Sequence, residues 1–157
     1  MTIATGQTSP DFTLFDTDKN KVTLGSYRGK NVLILFFPLA FTSVCTAELC
    51  NIRDNISAYN DADAQVLGIS VDSVFVLNKF KEEQHLNFPL LSDFNKEASK
   101  AFDVLYETFP AFDMHGVSKR SAFVIDKEGI IKYAEVCGNP GDQPDFTAIL
   151  QVLNGLN

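Results

Sequence analysis

The stretch Val32-Leu33-Ile34-Leu35-Phe36-Phe37-Pro38-Leu39-Ala40-Phe41-Thr42-Ser43-Val44-Cys45-Thr46-Ala47-Glu48 decides the fold. Its first six residues are an unbroken apolar run, the pattern of a strand buried on both faces. Pro38 ends that run, and the residues beyond it have helical periodicity. Cys45, Leu49, Ile52, Ile56 and Tyr59 fall on one helical face, with Thr46, Cys50, Arg53, Asp54 and Ser57 on the other. Thr42 and Ser43 are suitable N-caps, and Glu48 adds a carboxylate near the helix start. Cys45 therefore sits just past a buried strand, in the first turn of a helix. Backbone N–H groups and the positive end of the helix dipole favour a thiolate there. In open α/β sheets, ligands bind in this crevice at the carboxyl ends of the strands.

Working outward, the apolar runs alternate with helical segments. Short strands are expected at 12–15 and 22–24, joined by the turn 16–20, with a loop or single helical turn at 25–30. The central strand covers 31–37, and the cysteine helix ends near Asn60. A second buried strand covers 65–71. Ser73 caps a helix over 74–85 with Val74, Leu77, Phe80 and Lys81 on one side. A brief strand at 90–91 precedes a short helix at 97–102. Residues 104–119 have no clean period and read as a long loop beside the site, since loops of this length usually carry function. Arg120 opens a hairpin over 120–135, Gly138-Asn139-Pro140-Gly141 is a turn, and Asp145 opens the last helix. Strands alternating with helices give an α/β fold. There is no repeat, low-complexity tract or linker, so residues 1–157 are read as a single domain.

Composition sets the outer bounds. The chain of 157 residues is 45% apolar with 14 Phe, enough for a sizeable core. Its net charge of −7 argues against nucleic acid or an anionic membrane as partner. No apolar run approaches the roughly 20 residues of a membrane helix. The three cysteines are too few and too irregularly spaced for a secreted disulfide framework. The N-terminal residues 1–7 show no basic or apolar leader pattern, so a cytoplasmic location is expected. No Cys–His pair has zinc-ligand spacing, and no glycine-rich phosphate loop is present. No metal or cofactor is expected, and His85 and His115 read as surface or loop histidines.

The motif Pro38-x-x-x-Thr42-x-x-Cys45 resembles the active-site signature of the peroxiredoxins, and Arg120 before Ser121-Ala122-Phe123-Val124-Ile125-Asp126 resembles that family's second active-site segment. The likeness runs from Pro10-Asp11-Phe12-Thr13-Leu14 to the last helix. Phe37-Pro38-Leu39-Ala40-Phe41-Thr42 and Phe88-Pro89-Leu90-Leu91-Ser92-Asp93-Phe94 are most similar to the alkyl-hydroperoxide-reductase-E branch. The Cys45-x4-Cys50 spacing is similar to the bacterioferritin-comigratory-protein branch. The resemblance implies a thioredoxin-like fold, a central mixed sheet flanked by helices with an N-terminal β-hairpin extension. It implies a peroxidase that reduces hydrogen peroxide or organic hydroperoxides through Cys45. In it Arg120 holds the thiolate and binds peroxide, and Thr42 accepts a proton while donating toward the developing oxyanion. Pro38 shields the sulfur from water, and Glu48 helps hold the arginine.

Each of these residues also has an ordinary reading. A free cysteine is more often a small buried hydrophobe, Thr42 a cap, Pro38 a strand end, Glu48 a solvated helix residue and Arg120 a surface side chain. The apolar strand that Arg120 opens argues otherwise, because such a strand is central and brings the guanidinium to the sheet edge where Cys45 sits. Two other classes stay open, a thioredoxin-fold disulfide oxidoreductase and a peroxide sensor or holdase. Cys45-x4-Cys50 is not the C-x-x-C of the former. Three routes stay open for resolving oxidised Cys45: Cys50, Cys137, or an external thiol. The electrons come from a thioredoxin- or glutaredoxin-like protein or from a small thiol. A homodimer is expected by resemblance, with Phe109-Pro110-Ala111-Phe112 as a contributor.

Overall fold

The computed structural model describes residues 3–157; Met1 and Thr2, the start of the stretch read for a leader, lie outside the described residues. Strand β1 (Thr13–Asp16) and strand β2 (Lys21–Thr23) form the N-terminal hairpin, followed by a 3-10 turn at Leu24–Tyr27. Then come β3 (Asn31–Phe36), α1 (Ser43–Asp54), α2 (Ile56–Asp61), β4 (Ala64–Ser70) and α3 (Val74–Gln84). The chain continues through β5 (Leu90–Ser92), α4 (Glu97–Ala101), β6 (Ser121–Ile125), β7 (Ile131–Val136) and α5 (Phe146–Gly155). The strands build one seven-stranded mixed sheet in the order β2-β1-β5-β4-β3-β6-β7.

The run that looked buried is buried: every residue of β3 is inaccessible, because β3 lies between β4 and β6 with layers on both faces. Its side chains alternate as a strand requires. Leu33, Leu35 and Phe37 enter one core with Cys45, Leu49, Ile52, Tyr59, Leu77, Phe80, Ile149 and Leu153. Val32, Ile34 and Phe36 enter the other with Phe12, Leu67, Ile69, Ala98, Phe102 and Phe123. Helices α1, α2, α3 and α5 thus cover one face, and α4 with Phe12, Leu24, Phe102 and Val104 packs on the other. Burying each large apolar side chain stabilises by about 1.5–3 kcal/mol, so β3 is the fixed rail on which the site is mounted.

Two pairings aim the functional residues. β3 and β4 run parallel, and β3 and β6 run antiparallel with Phe36 opposite Ser121. The carboxyl end of β3, which leads to Pro38, therefore meets the start of β6, which follows Arg120. The central position inferred for the arginine's strand is the observed one.

Two expectations are corrected and one is refined. The cysteine helix does not run unbroken to Asn60. It breaks at Asn55, whose φ/ψ of −116°/18° leaves the helical basin. The Asn55 Nδ2 donates to Asn51 O at 2.8 Å, competing with the main-chain ladder. Residues 104–119 are the long loop beside the site that the sequence suggested, with no helix or strand of their own but with internal order. They fold back as an irregular antiparallel pair, with Tyr106 N donating to Val117 O at 2.8 Å and Lys119 N to Val104 O at 2.6 Å. Finally, Thr42 occupies the N-cap position but its hydroxyl does not cap the helix. By contrast, Ser73 caps α3 and Asp145 caps α5 as read.

Candidate active site

Cys45 is the third residue of α1 and is fully buried. The first main-chain bond of the helix is Thr46 N to Thr42 O at 2.9 Å. The N–H groups of Val44 and Cys45 precede it and have no intrahelical acceptor. They open the helix turn that carries Cys45, as expected at the strand-to-helix junction. Arg120 arrives from the start of β6. Its Nη1 donates to Cys45 Sγ at 3.2 Å and to Glu48 Oε1 at 3.1 Å. Its Nη2 donates to Pro140 O at 3.1 Å. One guanidinium thus spans the helix start, the acid one turn on, and the turn after β7.

All three charged or chargeable partners are out of water: Cys45 and Glu48 are fully buried, and Arg120 is 2% exposed. Burial pushes the Glu48 carboxyl up to about 7, against the pull of the Arg120 charge and hydrogen bond. Burial also disfavours charge on Arg120, but Cys45 and Glu48 together outweigh it and raise its pKa, so the guanidinium stays charged. Among the described residues, Glu48 Oε2 and Arg120 Nε make no hydrogen bond. Glu48 is therefore no solvated helix residue near a dipole. It is the buried counter-charge of the arginine, consistent with what the resemblance implied.

Pro38, Thr42, Cys45 and Arg120 line one pocket of about 380 Å³. Its other walls are mainly apolar: Leu39, Phe109, Phe112, Met114 and Pro140. Thr42 Oγ1 donates to Leu39 O at 2.7 Å. Its proton is thereby engaged, so the hydroxyl faces the pocket as an acceptor. The expectation that it also donates toward an oxyanion is not met in this arrangement. A larger cavity, about 500 Å³, lies among Phe15, Phe75 and Phe94. It holds no cysteine, and among its polar residues Thr13, Ser73, Ser92 and Asp93 are engaged with Thr23 Oγ1, Val76 N, Asp72 O, and Ala98 N with Ser99 N, respectively. Chemistry belongs to the smaller pocket.

The other two cysteines lie apart from it. Cys50 is half-buried on the far side of α1, its Sγ donating to Gln84 Oε1 of α3 at 3.5 Å. Cys137 follows β7, is buried, and donates its N–H to Arg120 O at 2.9 Å. Burial, with Glu135 and Glu48 adding to it, pushes the Cys137 thiol up to about 11. His85 and His115 lie outside the core, His115 Nδ1 lying 3.1 Å from Thr108 Oγ1. The Pro140 carbonyl and the walls Phe109, Phe112 and Met114 were not named as site residues from sequence. The only signal was the position of their loops after Val104 and after the hairpin.

A family model described as the AhpC/TSA family matches residues 5–134. The chain belongs to that family. It is 41% identical over 143 residues to alkyl hydroperoxide reductase E of Mycobacterium tuberculosis, covering 89% of each chain. It is 38% identical over 147 residues to the chloroplastic 2-cysteine peroxiredoxin of Chattonella marina var. antiqua, covering 87% of this chain and 72% of that one. The crystal structure of peroxidoxin BcpB from Mycobacterium tuberculosis superposes with a TM-score of 0.86 at 27% identity, covering 99% of both chains. The mixed sheet flanked by helices is the peroxiredoxin form of the thioredoxin fold.

Proposed function

We propose that this protein is a thiol-dependent peroxidase in which Cys45 is the peroxidatic residue. The observation that carries this reading is the buried Cys45 sulfur, held by a charged Arg120 at 3.2 Å and facing a mainly apolar pocket. A thiolate is the competent nucleophile. It attacks the distal oxygen of ROOH. The S–O bond forms as the O–O bond breaks, giving Cys45–SOH and RO⁻, which takes up a proton to leave as ROH. The O–H of the distal peroxide oxygen can donate a hydrogen bond to Thr42 Oγ1, whose own proton is engaged on Leu39 O, which orients that oxygen toward the sulfur; the proton stays with it in the sulfenic acid, and RO⁻ takes its proton from solvent. Arg120 and the free N–H groups of Val44 and Cys45 stabilise charge on the leaving oxygen, as an oxyanion hole does. Pro38, buried, keeps water from the sulfur.

The pocket also supports a substrate preference. Leu39, Phe109, Phe112 and Met114 offer an apolar wall to the R group, so organic hydroperoxides are favoured over hydrogen peroxide. The reductant is a thiol, supplied by a thioredoxin- or glutaredoxin-like protein or a small thiol in a reducing, cytoplasmic compartment. A homodimer is the reading the family resemblance favours, with Phe112, 90% exposed at the pocket rim, as its contributor. A concentration-independent monomer mass in solution refutes the dimer.

The test is single-turnover oxidation with limiting cumene hydroperoxide or hydrogen peroxide, quenched by alkylation and mapped by mass. Wild type is expected to gain one oxygen at Cys45 first, and Cys45→Ser to consume no peroxide. Rapid turnover surviving in Cys45→Ser rejects the assignment.

A further inference from the structure

We propose that Asp72 is a positioning residue for the peroxide reaction, a carboxylate latch that holds the turn leading into Cys45. The proposal rests on the reading of Cys45 as the reacting cysteine. Asp72 follows β4, on the short connection to α3. Its Oδ2 accepts from Ala40 N at 2.8 Å and from Ser70 Oγ at 2.7 Å. Asp72 N donates back to Ser70 Oγ at 3.1 Å, and Ser92 Oγ donates to Asp72 O at 2.6 Å. Strands β4 and β5 thus fix both the main chain and the side chain of Asp72. That fixed carboxylate is aimed at one N–H of the turn between β3 and α1.

The turn needs a hold. Phe41 has a φ of +66°, a left-handed conformation costly for an aromatic L-residue. Such a conformation persists only where its surroundings over-determine it. Three contacts do so here. They are the Asp72 carboxylate on Ala40 N, the Thr42 hydroxyl on Leu39 O at 2.7 Å, and the Phe41 ring against buried Phe80 at 5.1 Å between centroids. The hydroxyl bond lies within the turn itself, and the Phe41 ring is exposed. Of the three, only Asp72 ties the turn's main chain to a strand. Removing the carboxylate leaves the Ala40 N–H buried and unpaired, at 8% residue exposure, so the turn relaxes. Thr42 and the first turn of α1 move with it. Arg120 does not, because it is held independently at the start of β6 and by Pro140 O. The expected consequence is a sulfur that has drifted from its guanidinium.

A role confined to ordering the turn after β4 would use the same contacts. The experiment separates the two roles with the full-length protein. Asp72→Ala, Asp72→Asn and Ser70→Ala are compared with wild type by the rate of Cys45 oxidation and by amide hydrogen exchange of residues 38–46 against residues 31–36. Asp72→Ala is expected to slow oxidation at least tenfold and to speed exchange in 38–46 while 31–36 stays protected. Asp72→Asn is expected to recover most of the rate, since its amide oxygen still accepts from Ala40 N. Ser70→Ala, which removes one neighbour of the carboxylate and spares the Ala40 bond, is expected to fall between them. Should Asp72→Ala not fold, Ser70→Ala carries the test, with local exchange in 38–46 faster than wild type. The latch is overturned by a wild-type oxidation rate in Asp72→Ala. Faster exchange spread evenly over both segments, or an Asp72→Asn as slow as Asp72→Ala, overturns it as well. A wild-type protein that is not oxidised at Cys45 refutes the peroxidase reading instead, and the exchange comparison then still decides the latch.

Discussion

Oxidising Cys45 with one equivalent of peroxide should cost the protein part of helix α1, provided that Cys50 is the thiol that resolves it. Five residues along an intact helix rise about 7.5 Å and turn through roughly 140°, which puts the two Cα atoms about 8.6 Å apart on different faces. A disulfide spans at most about 7 Å. The carboxyl half of α1 is anchored by contacts that oxidation leaves intact: Arg53 Nη1 donates to Gln84 O, and Asn87 Nδ2 donates to Arg53 O at 3.2 Å. The amino half must therefore unwind toward Cys50, by about two turns or roughly seven residues, more than half of the 12 in α1. Leu49, fully buried, is drawn out with it, at a cost of about 2 kcal/mol. Losing the charged Arg120 donor bond to sulfur adds about 1.5–3 kcal/mol while the sulfur is anionic, and less once it is a neutral sulfenic acid. Opening is thus uphill by a few kcal/mol and is driven by closure of the S–S bond. The assay is far-ultraviolet circular dichroism after one equivalent of peroxide, paired with a peptide map. Wild type should lose helix signal reversibly with dithiothreitol. Cys50→Ser should lose none and should proceed more readily to sulfinic acid. A once-oxidised protein that keeps its helix signal, with Cys45 a lasting sulfenic acid and Cys50 a free thiol, would falsify the internal route and leave an external thiol as the resolving agent.

Further outcomes are expected. Arg120→Ala and Arg120→Lys should both slow Cys45 oxidation by at least tenfold, because lysine keeps the charge but cannot reach sulfur, Glu48 and Pro140 O with one planar fork; a fully active lysine variant reduces the residue to a point charge. Cys137, its thiol raised to about 11, should be the slowest of the cysteines to alkylate at pH 8, and Cys137→Ser should leave the first oxidation rate near wild type; stopped-time alkylation with mass readout checks both. Glu48, raised from 4.5 to about 7 by burial, confers stability that is full below about 4.5 and lost as pH rises through about 7, a swing of roughly 3 kcal/mol. Denaturant midpoints between pH 5 and 8 should therefore fall in wild type relative to Glu48→Gln, and parallel profiles refute the burial argument.

What the sequence made legible was whatever a period or a neighbour in the chain encodes. Six apolar residues in a row located β3, and its alternation decided which face of the sheet Cys45 would join. Arg120 was legible because the apolar strand behind it had to be central, and antiparallel pairing with β3 then left its head beside the sulfur. The break at Asn55 was hidden, since a side chain competing for its own helix leaves the apolar spacing unchanged. Asp72 was hidden for a different reason. Its partner, Ala40 N, is 32 residues away, and a main-chain donor has no signature in sequence. The polar group Ser70-x-Asp72-Ser73 at the carboxyl end of a strand next to β3 was the available hint. The pocket walls obeyed the same logic. Phe109, Phe112 and Met114 lie in a segment without periodicity, and only the folding back of 104–119 brings them over Cys45.

The site's charge balance links its chemistry to its movement. In the dry pocket one guanidinium serves a sulfur and a carboxylate, and a buried ion pair is costly to break because it strands a charge. While Cys45 is a thiolate, its bond to Arg120 fastens the first turn of α1 to the start of β6, which is the geometry peroxide needs. Reaction removes that charge, since the sulfenic acid is neutral. Arg120 is not left without a partner, for its hydrogen bond to Glu48 remains at 3.1 Å. But Glu48 is itself one turn along α1, so unwinding far enough to reach Cys50 also pulls on this second tie. The arginine then keeps Pro140 O, on a different segment. The helix start is therefore held by three ties of different kinds: sulfur, carboxylate and the Asp72 contact to Ala40. Oxidation releases only the first. That ordering favours the closed form until peroxide has been consumed and makes opening dependent on the two that remain. If Cys50 is the resolving thiol, loosening either remaining tie should shift partition at the sulfenic acid toward the disulfide and away from sulfinic acid, while slowing the step that made the sulfenic acid.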